Sequence, residues 1–155
     1  EICHCLVGSE MCIRDSLASF HRHYAEDWKS GTLVYPGMLE LLKDLRANEY
    51  PLAVLSNKPH QHTSKIVAEL FPNGLFNQVM GHQESFPKKP DPTMAHHIID
   101  KWNLKPSEVA YVGDSTVDLA TAHAGDMVPL IFSWGYGTPK NISLLNKAEE
   151  LKSFL

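Results

Sequence analysis

The chain has 155 residues, the size of about one domain, and its 43% hydrophobic and 21% charged composition excludes fibrous and disordered classes. A formal charge of −4 leaves no basic excess to neutralise a polyphosphate, so nucleic acid is not an expected partner. No apolar run reaches the roughly 18–20 residues that a bilayer-spanning helix needs, and no membrane partner is expected.

In chain order, the three cysteines (Cys3, Cys5 and Cys12) all fall in the first twelve residues. The remaining sequence is therefore no disulfide scaffold, and a reducing cytoplasm is the expected setting. Cys3-His4-Cys5 lacks the paired ligand spacing of a structural zinc site. Residues 1–16 have neither a basic start nor a long apolar run, so they do not read as a signal peptide. The run Val7 to Ser16 resembles translated adapter sequence, and residues 1–16 are set apart from the fold as non-native in character. Phe20, Tyr24 and Trp28 recur every four residues, which predicts a helix with one aromatic stripe against an apolar partner. Ser30-Gly31 breaks that helix, Tyr35-Pro36-Gly37 makes a tight turn, and a boundary is expected between 30 and 37.

Two periodicities then alternate. Met38, Leu41, Leu42 and Leu45 predict an amphipathic helix, and the continuous apolar run 52–55 predicts a strand covered on both faces. A helix over 60–70 and a weak strand over 76–80 follow. Asp91 or Thr93 is positioned to cap a helix starting near Pro92 and carrying Met94, Ile98, Ile99 and Trp102 on one side. The run 109–112 predicts another covered strand, followed by a helix over 116–124, a strand over 128–132 and a short helix over 143–151. Regular alternation of this kind, with right-handed crossovers, makes an α/β open parallel sheet, Rossmann-like, with helices on both faces.

Ligands of such sheets bind beyond the carboxyl ends of the strands. Those ends carry Ser56-Asn57-Lys58, Lys88-Lys89, Gly113-Asp114 with Asp118 four residues on, and Ser133-Trp134-Gly135. A hydroxyl and backbone amides can donate to phosphoryl oxygens, a lysine supplies a compact positive charge, and two carboxylates suit Mg²⁺, which takes few carboxylates and keeps waters. Each residue also has a plainer reading. Ser56 or Asp114 could simply cap the helix that follows it, and either lysine could be a surface charge. The histidines show no metal-ligand spacing.

Taken together these residues resemble the haloacid dehalogenase-like phosphatases, and within them the phosphoglycolate phosphatase group. Leu52-Ala53-Val54-Leu55-Ser56 is similar to the family's second motif, Lys89-Pro90-Asp91-Pro92 to its third, and Gly113-Asp114 with Asp118 to its fourth; the likeness extends over about 17–155. It implies a Mg²⁺-dependent phosphate-monoester hydrolase working through an aspartyl-phosphate on a small phosphorylated metabolite. Ser56 and Asn57 would bind the phosphoryl group, Lys89 would hold phosphate and nucleophile (with Lys88 the alternative if the register differs by one), and Asp114 would bind Mg²⁺ with Asp118 in support. A sugar-phosphate mutase, nucleotidase or pyrophosphatase of the same fold is the near alternative. A non-catalytic receiver-like module that binds phosphate or metal is the alternative of another class.

The family's first motif is a pair of aspartates two residues apart, and the aspartates here (15, 27, 44, 91, 100, 114, 118 and 126) include no such pair. The resemblance therefore implies the carboxyl-terminal part of a phosphatase. Residues 17–34 would be a remnant of a helical cap and 35–155 the core, with a strand missing between those that carry Ser56 and Asp114. The 155 residues by themselves are expected to be inactive.

Overall fold

A computed structural model describes residues 33–135, 137, 139 and 142–154. The cysteines, the run 1–16 and the aromatic stripe Phe20, Tyr24 and Trp28 lie outside the described residues. From the turn at 35–37 the chain enters helix α1 (Met38–Ala47), then strand β1 (Ala53–Pro59), helix α2 (His60–Leu70) and strand β2 (Gln78–His82). Helix α3 (Thr93–Trp102), strand β3 (Ala110–Gly113), helix α4 (Thr116–Ala124) and strand β4 (Val128–Ile131) follow, and a 3₁₀ segment spans Ala148–Phe154.

The first residues of α1 and α3 follow turns that the sequence specifies. Gly37, before α1, takes a left-handed φ of 77°, which any other residue would adopt only with strain. Asp91 Oδ1 accepts the Thr93 amide at 2.9 Å, satisfying one of the free donors at the start of α3. The weak strand expected over 76–80 sits two residues later, at Gln78–His82, and the helix expected over 143–151 is the 3₁₀ segment instead. Asn77 explains the first shift: its side chain and amide both bond Leu52, making it a corner before pairing begins.

Among the described residues all strand pairing is parallel. Ala53 to Ser56 of β1 lie opposite Gln78 to Gly81 of β2, and Ala110 to Gly113 of β3 opposite Val128 to Ile131 of β4. Successive residues of a strand face opposite sides, and the packing follows that rule. Ala110, Leu130 and Phe132 pack with Leu41 and Leu45 of α1, whereas Tyr111 packs with Ala95 and Ile99 of α3 and Ala122 of α4. Helices therefore cover both faces. The third cluster joins Met80 of β2 to Met94 and Ile98 of α3. Met94 has no exposed surface, and Met94→Ala is expected to destabilise the fold by about 2–5 kcal/mol through lost burial plus the cavity left behind. Urea unfolding followed by circular dichroism measures it, and a loss below about 1 kcal/mol would show that the site collapses.

The strands differ from expectation in one respect. Runs 52–55 and 109–112 predict strands covered on both faces, yet Ala53 is exposed and Val112 is 42% exposed. The reason lies in the pairing. Among the described residues the sheet is two separate pairs, β1–β2 and β3–β4, with no strand joining β1 to β3. Between the pairs lies an apolar cavity of about 450 Å³, lined by residues that include Leu41, Leu52, Leu55, Ile98, Val109 and Val112. This gap falls between the strand carrying Ser56 and the strand leading to Asp114, where the resemblance implies a missing one.

Candidate functional site

The expected site residues arrive from three segments. Ser56 and Asn57 sit within β1, Lys89 on the loop between β2 and α3, and Asp114 and Asp118 on either side of the start of α4. Ser56 caps no helix. Its hydroxyl oxygen accepts the Lys58 amide at 3.1 Å, and α2 begins at His60 with no side-chain cap.

Asn57 fixes the lysine loop through both ends of its amide. Its Nδ2 donates to the Lys89 carbonyl at 3.0 Å and its Oδ1 accepts the Lys89 amide at 2.8 Å. This two-point attachment settles which lysine turns inward. Lys88 is exposed, while the Lys89 side chain reaches Asp118 Oδ1 at 2.7 Å and the Leu55 carbonyl at 3.4 Å. One ammonium thus touches the end of β1 and the first turn of α4, so both strand pairs present their carboxyl ends to one place. It also lies 6.0 Å from the centre of the Tyr111 ring.

Asp118 is buried, with both oxygens engaged. Oδ1 takes the Lys89 ammonium; Oδ2 accepts the Ser115 hydroxyl at 2.6 Å and the Asp114 amide at 3.3 Å. Ser115, not Asp114, is the cap of α4, since its Oγ also accepts the Asp118 amide. Ser115 is not among the expected site residues. Its signal was a serine followed three residues later by an acid at a helix start, the spacing of a capping box.

The charges respond to this geometry. Burial opposes the charge of Lys89, but neighbouring Tyr111 and Asp118 outweigh it and hold the ammonium above its ordinary pKa. Burial would likewise raise Asp118; hydrogen bonds from Lys89 and Ser115 reverse that and hold the carboxyl below the usual range. Asp114 goes the other way, pushed up by burial and then by the like charge of Asp118.

Two glycines let the elements close on these acids. A Cβ on Gly113 would overlap the Asp118 side chain, and one on Gly135 would overlap the backbone oxygen and side chain of Asp114. Gly135 was noted in the sequence only as part of a strand-end loop; what makes its size matter is contact across the fold.

As a test of metal fit, no group of three or more His, Cys, Asp or Glu gathers among the described residues. Asp114 is thus one carboxylate beside a second, Asp118, already bonded through both oxygens. With the described residues alone, a cation there would keep most of its shell as water and ligand oxygen, which suits Mg²⁺.

Residues 6–129 match the haloacid dehalogenase-like hydrolase family. A phosphoglycolate phosphatase of Haemophilus influenzae is 30% identical over 135 residues, covering 86% of this chain and 60% of the relative. One of Rhodospirillum rubrum is 34% identical over 128 residues, covering 83% and 53%. Among solved structures, a predicted phosphoglycolate phosphatase from Haemophilus somnus superposes with a TM-score of 0.81 at 26% identity, covering 95% of this chain and 68% of the other. A haloacid dehalogenase-like hydrolase of Streptococcus pneumoniae superposes at 0.80 and 18% identity, covering 96% and 72%, and shows the same fold. The chain spans a little over half the length of these curated relatives. With four-fifths of its residues inside the family match and its parallel strands and helices superposing on known members, this chain belongs to the haloacid dehalogenase-like hydrolases.

Proposed function

We propose that the whole protein is a Mg²⁺-dependent phosphate-monoester hydrolase of the phosphoglycolate phosphatase type, acting on a small phosphorylated metabolite in the cytoplasm. The observation that carries this is Lys89, whose ammonium rests on the carboxyl end of β1 and on Asp118 at the start of α4, with Ser56 and Asp114 on the same strand ends. The names of the curated relatives support the substrate class.

Each residue has a physical task in this reading. The Ser56 hydroxyl donates to a phosphoryl oxygen, and Asn57 holds the lysine loop against β1. Lys89 keeps its proton and offsets the negative charge of phosphate and nucleophile. Asp118 aims the ammonium, and Asp114 holds Mg²⁺, whose chemistry is to neutralise charge on the transferring group. An aspartate attacks phosphorus, the bond to the leaving alcohol breaks, and water then cleaves the aspartyl-phosphate. The 155 residues contain no pair of aspartates two apart, and we assign none of them as nucleophile.

The test is calorimetric titration of Mg²⁺ and inorganic phosphate into the chain, with turnover of phosphoglycolate and p-nitrophenyl phosphate followed in parallel. Asp114→Asn is expected to weaken Mg²⁺ binding at least about tenfold, and Ser56→Ala to weaken phosphate by a lost charge-assisted hydrogen bond, about 1.5–3 kcal/mol. Because the Asp114 carboxyl sits above the usual range, protons compete for it earlier as pH falls. Mg²⁺ affinity is expected to drop above the pH at which an exposed aspartate, with a pKa of about 3.9, would lose its charge. No turnover is expected from the chain alone. Mg²⁺ binding indifferent to Asp114→Asn would overturn the metal assignment, and turnover lost in that variant would overturn the expected inactivity.

A further inference from the structure

The loop after β4 reaches Asp114 through Gly135, and its hold on the rest of the fold is concentrated in the residue before, Trp134. The indole is fixed on three sides. Its ring meets those of Tyr35 and Phe132 edge-to-face, each at 4.4 Å between centres and at 78° and 84°. Its Nε1 donates to the Leu145 carbonyl at 3.3 Å, an oxygen that also accepts the Ser133 amide at 2.9 Å. The Trp134 carbonyl in turn accepts the Tyr35 hydroxyl at 3.4 Å. Side chain and backbone of this one residue are therefore both held, by groups 99 positions upstream and 11 downstream.

At Gly135 the space that a Cβ would take is occupied by the backbone oxygen, Cβ and Cγ of Asp114. Two residues further on, the Gly137 carbonyl accepts the Thr116 amide at 3.3 Å, so the same loop also bonds the first residue of α4. Asp114 is bounded twice: its amide is tied to Asp118 Oδ2 at 3.3 Å, and its side chain lies against the Gly135 backbone. In close packing the rotamer a side chain adopts is limited by the wall beside it. The amide bond fixes where the Asp114 side chain starts, the Gly135 wall limits where it can turn, and Trp134 limits where that wall can stand.

We infer that Trp134 is a positioning residue for Asp114: anchored among Tyr35, Phe132 and the Leu145 carbonyl, it holds the Gly135 backbone against the Asp114 side chain and so selects one rotamer for the carboxylate. The use of that alignment rests on the reading of Asp114 as the Mg²⁺ carboxylate; the alignment itself does not. Mg²⁺ demands near-ideal geometry from the few carboxylates it takes, so the aim of each one matters.

The test is the Asp114 χ1 distribution in the full 155-residue chain, read by NMR from the three-bond couplings of its Cγ to the backbone nitrogen and carbonyl carbon, with Mg²⁺ titrated separately by calorimetry. The native chain is expected to show one rotamer. Trp134→Leu removes the ring contacts and the indole donor; it is expected to average the couplings and to weaken Mg²⁺ about tenfold, as loss of a ligand's outer partner commonly does. Met94→Ala is the control, because it loses burial in a different cluster and should leave both readouts unchanged. Trp134→Phe keeps a ring beside Tyr35 and Phe132 and should fall between native and leucine; it decides alone if the leucine variant does not fold. Native-like couplings in the folded Trp134 variant would overturn the inference, as would an Asp114 already averaged in the native chain or equally averaged by Met94→Ala. So would native-like Mg²⁺ affinity in that variant beside an Asp114→Asn chain that has lost it. Mg²⁺ affinity indifferent to Asp114→Asn would instead overturn the metal reading, and the couplings would still decide what Trp134 does.

Discussion

Lys89→Met is expected to cost about 3–5 kcal/mol of stability, because it leaves the Asp118 carboxylate buried without a counter-charge. The side chains of the pair are only 13% and 9% exposed, so water cannot take over the role of the ammonium. Ser115 and the Asp114 amide still bond Oδ2 in the variant and keep the loss finite. The pH dependence separates this cause from simple loss of packing. In the native chain the folded pKa of Asp118 is depressed, so its contribution is present above the unfolded value of about 3.9 and is lost as pH falls through the lower folded value. Lys89 is raised, so its contribution is present below its unfolded value of about 10.4 and is lost as pH rises through the higher folded value. In the variant Asp118 is buried and uncompensated, and protonation relieves it. The difference between the two proteins should therefore begin to shrink above about pH 4, where the uncompensated carboxyl of the variant takes up its proton, narrow further as the native Asp118 is protonated below about pH 4, and stay roughly level from neutral pH to about pH 10. Urea unfolding across that range measures it; a difference under about 1 kcal/mol at pH 7 would show that the pair is solvated like a surface ion pair.

Gly113→Ala should be the other large effect, about 1–3 kcal/mol from overpacking alone. The added Cβ would occupy the space of the Asp118 side chain, which is pinned on both oxygens and cannot swing aside without leaving Lys89 or Ser115. A readout other than stability distinguishes this displacement. Asp118 titrates below the usual carboxylate range because of those bonds, so pushing it away should raise its pKa, observable by carbon-detected NMR. A loss below about 0.5 kcal/mol with an unmoved Asp118 pKa would contradict the close approach.

Much of the chain was legible before any coordinates. Helices at Met38–Ala47, His60–Leu70 and Thr116–Ala124 follow from apolar spacing and their flanking residues, because period-3.6 burial is a local property of sequence. The residues at the strand ends were legible for a related reason: parallel strands under crossover helices put their carboxyl ends on one side. Less legible was the exposure of Val112. Its run reads as a strand covered on both faces, but covering a strand needs neighbours, and among the described residues β3 has one strand neighbour.

Sequence alone determined the α/β class, the order of the elements and the set of polar groups delivered to one end of the sheet, since each rests on periodicity or spacing within a short stretch of chain. Only the tertiary structure decided that Lys89 rather than Lys88 turns inward, that Asp118 Oδ1 takes the Lys89 ammonium, and that the two strand pairs stand apart around an apolar cleft. Those outcomes depend on contacts between residues about thirty or more positions apart, such as the Asn57 attachment of the Lys89 loop, and on which backbone edges find a partner. Neither is encoded in local spacing, because a hydrogen bond across the fold exists only once packing has brought its two ends together.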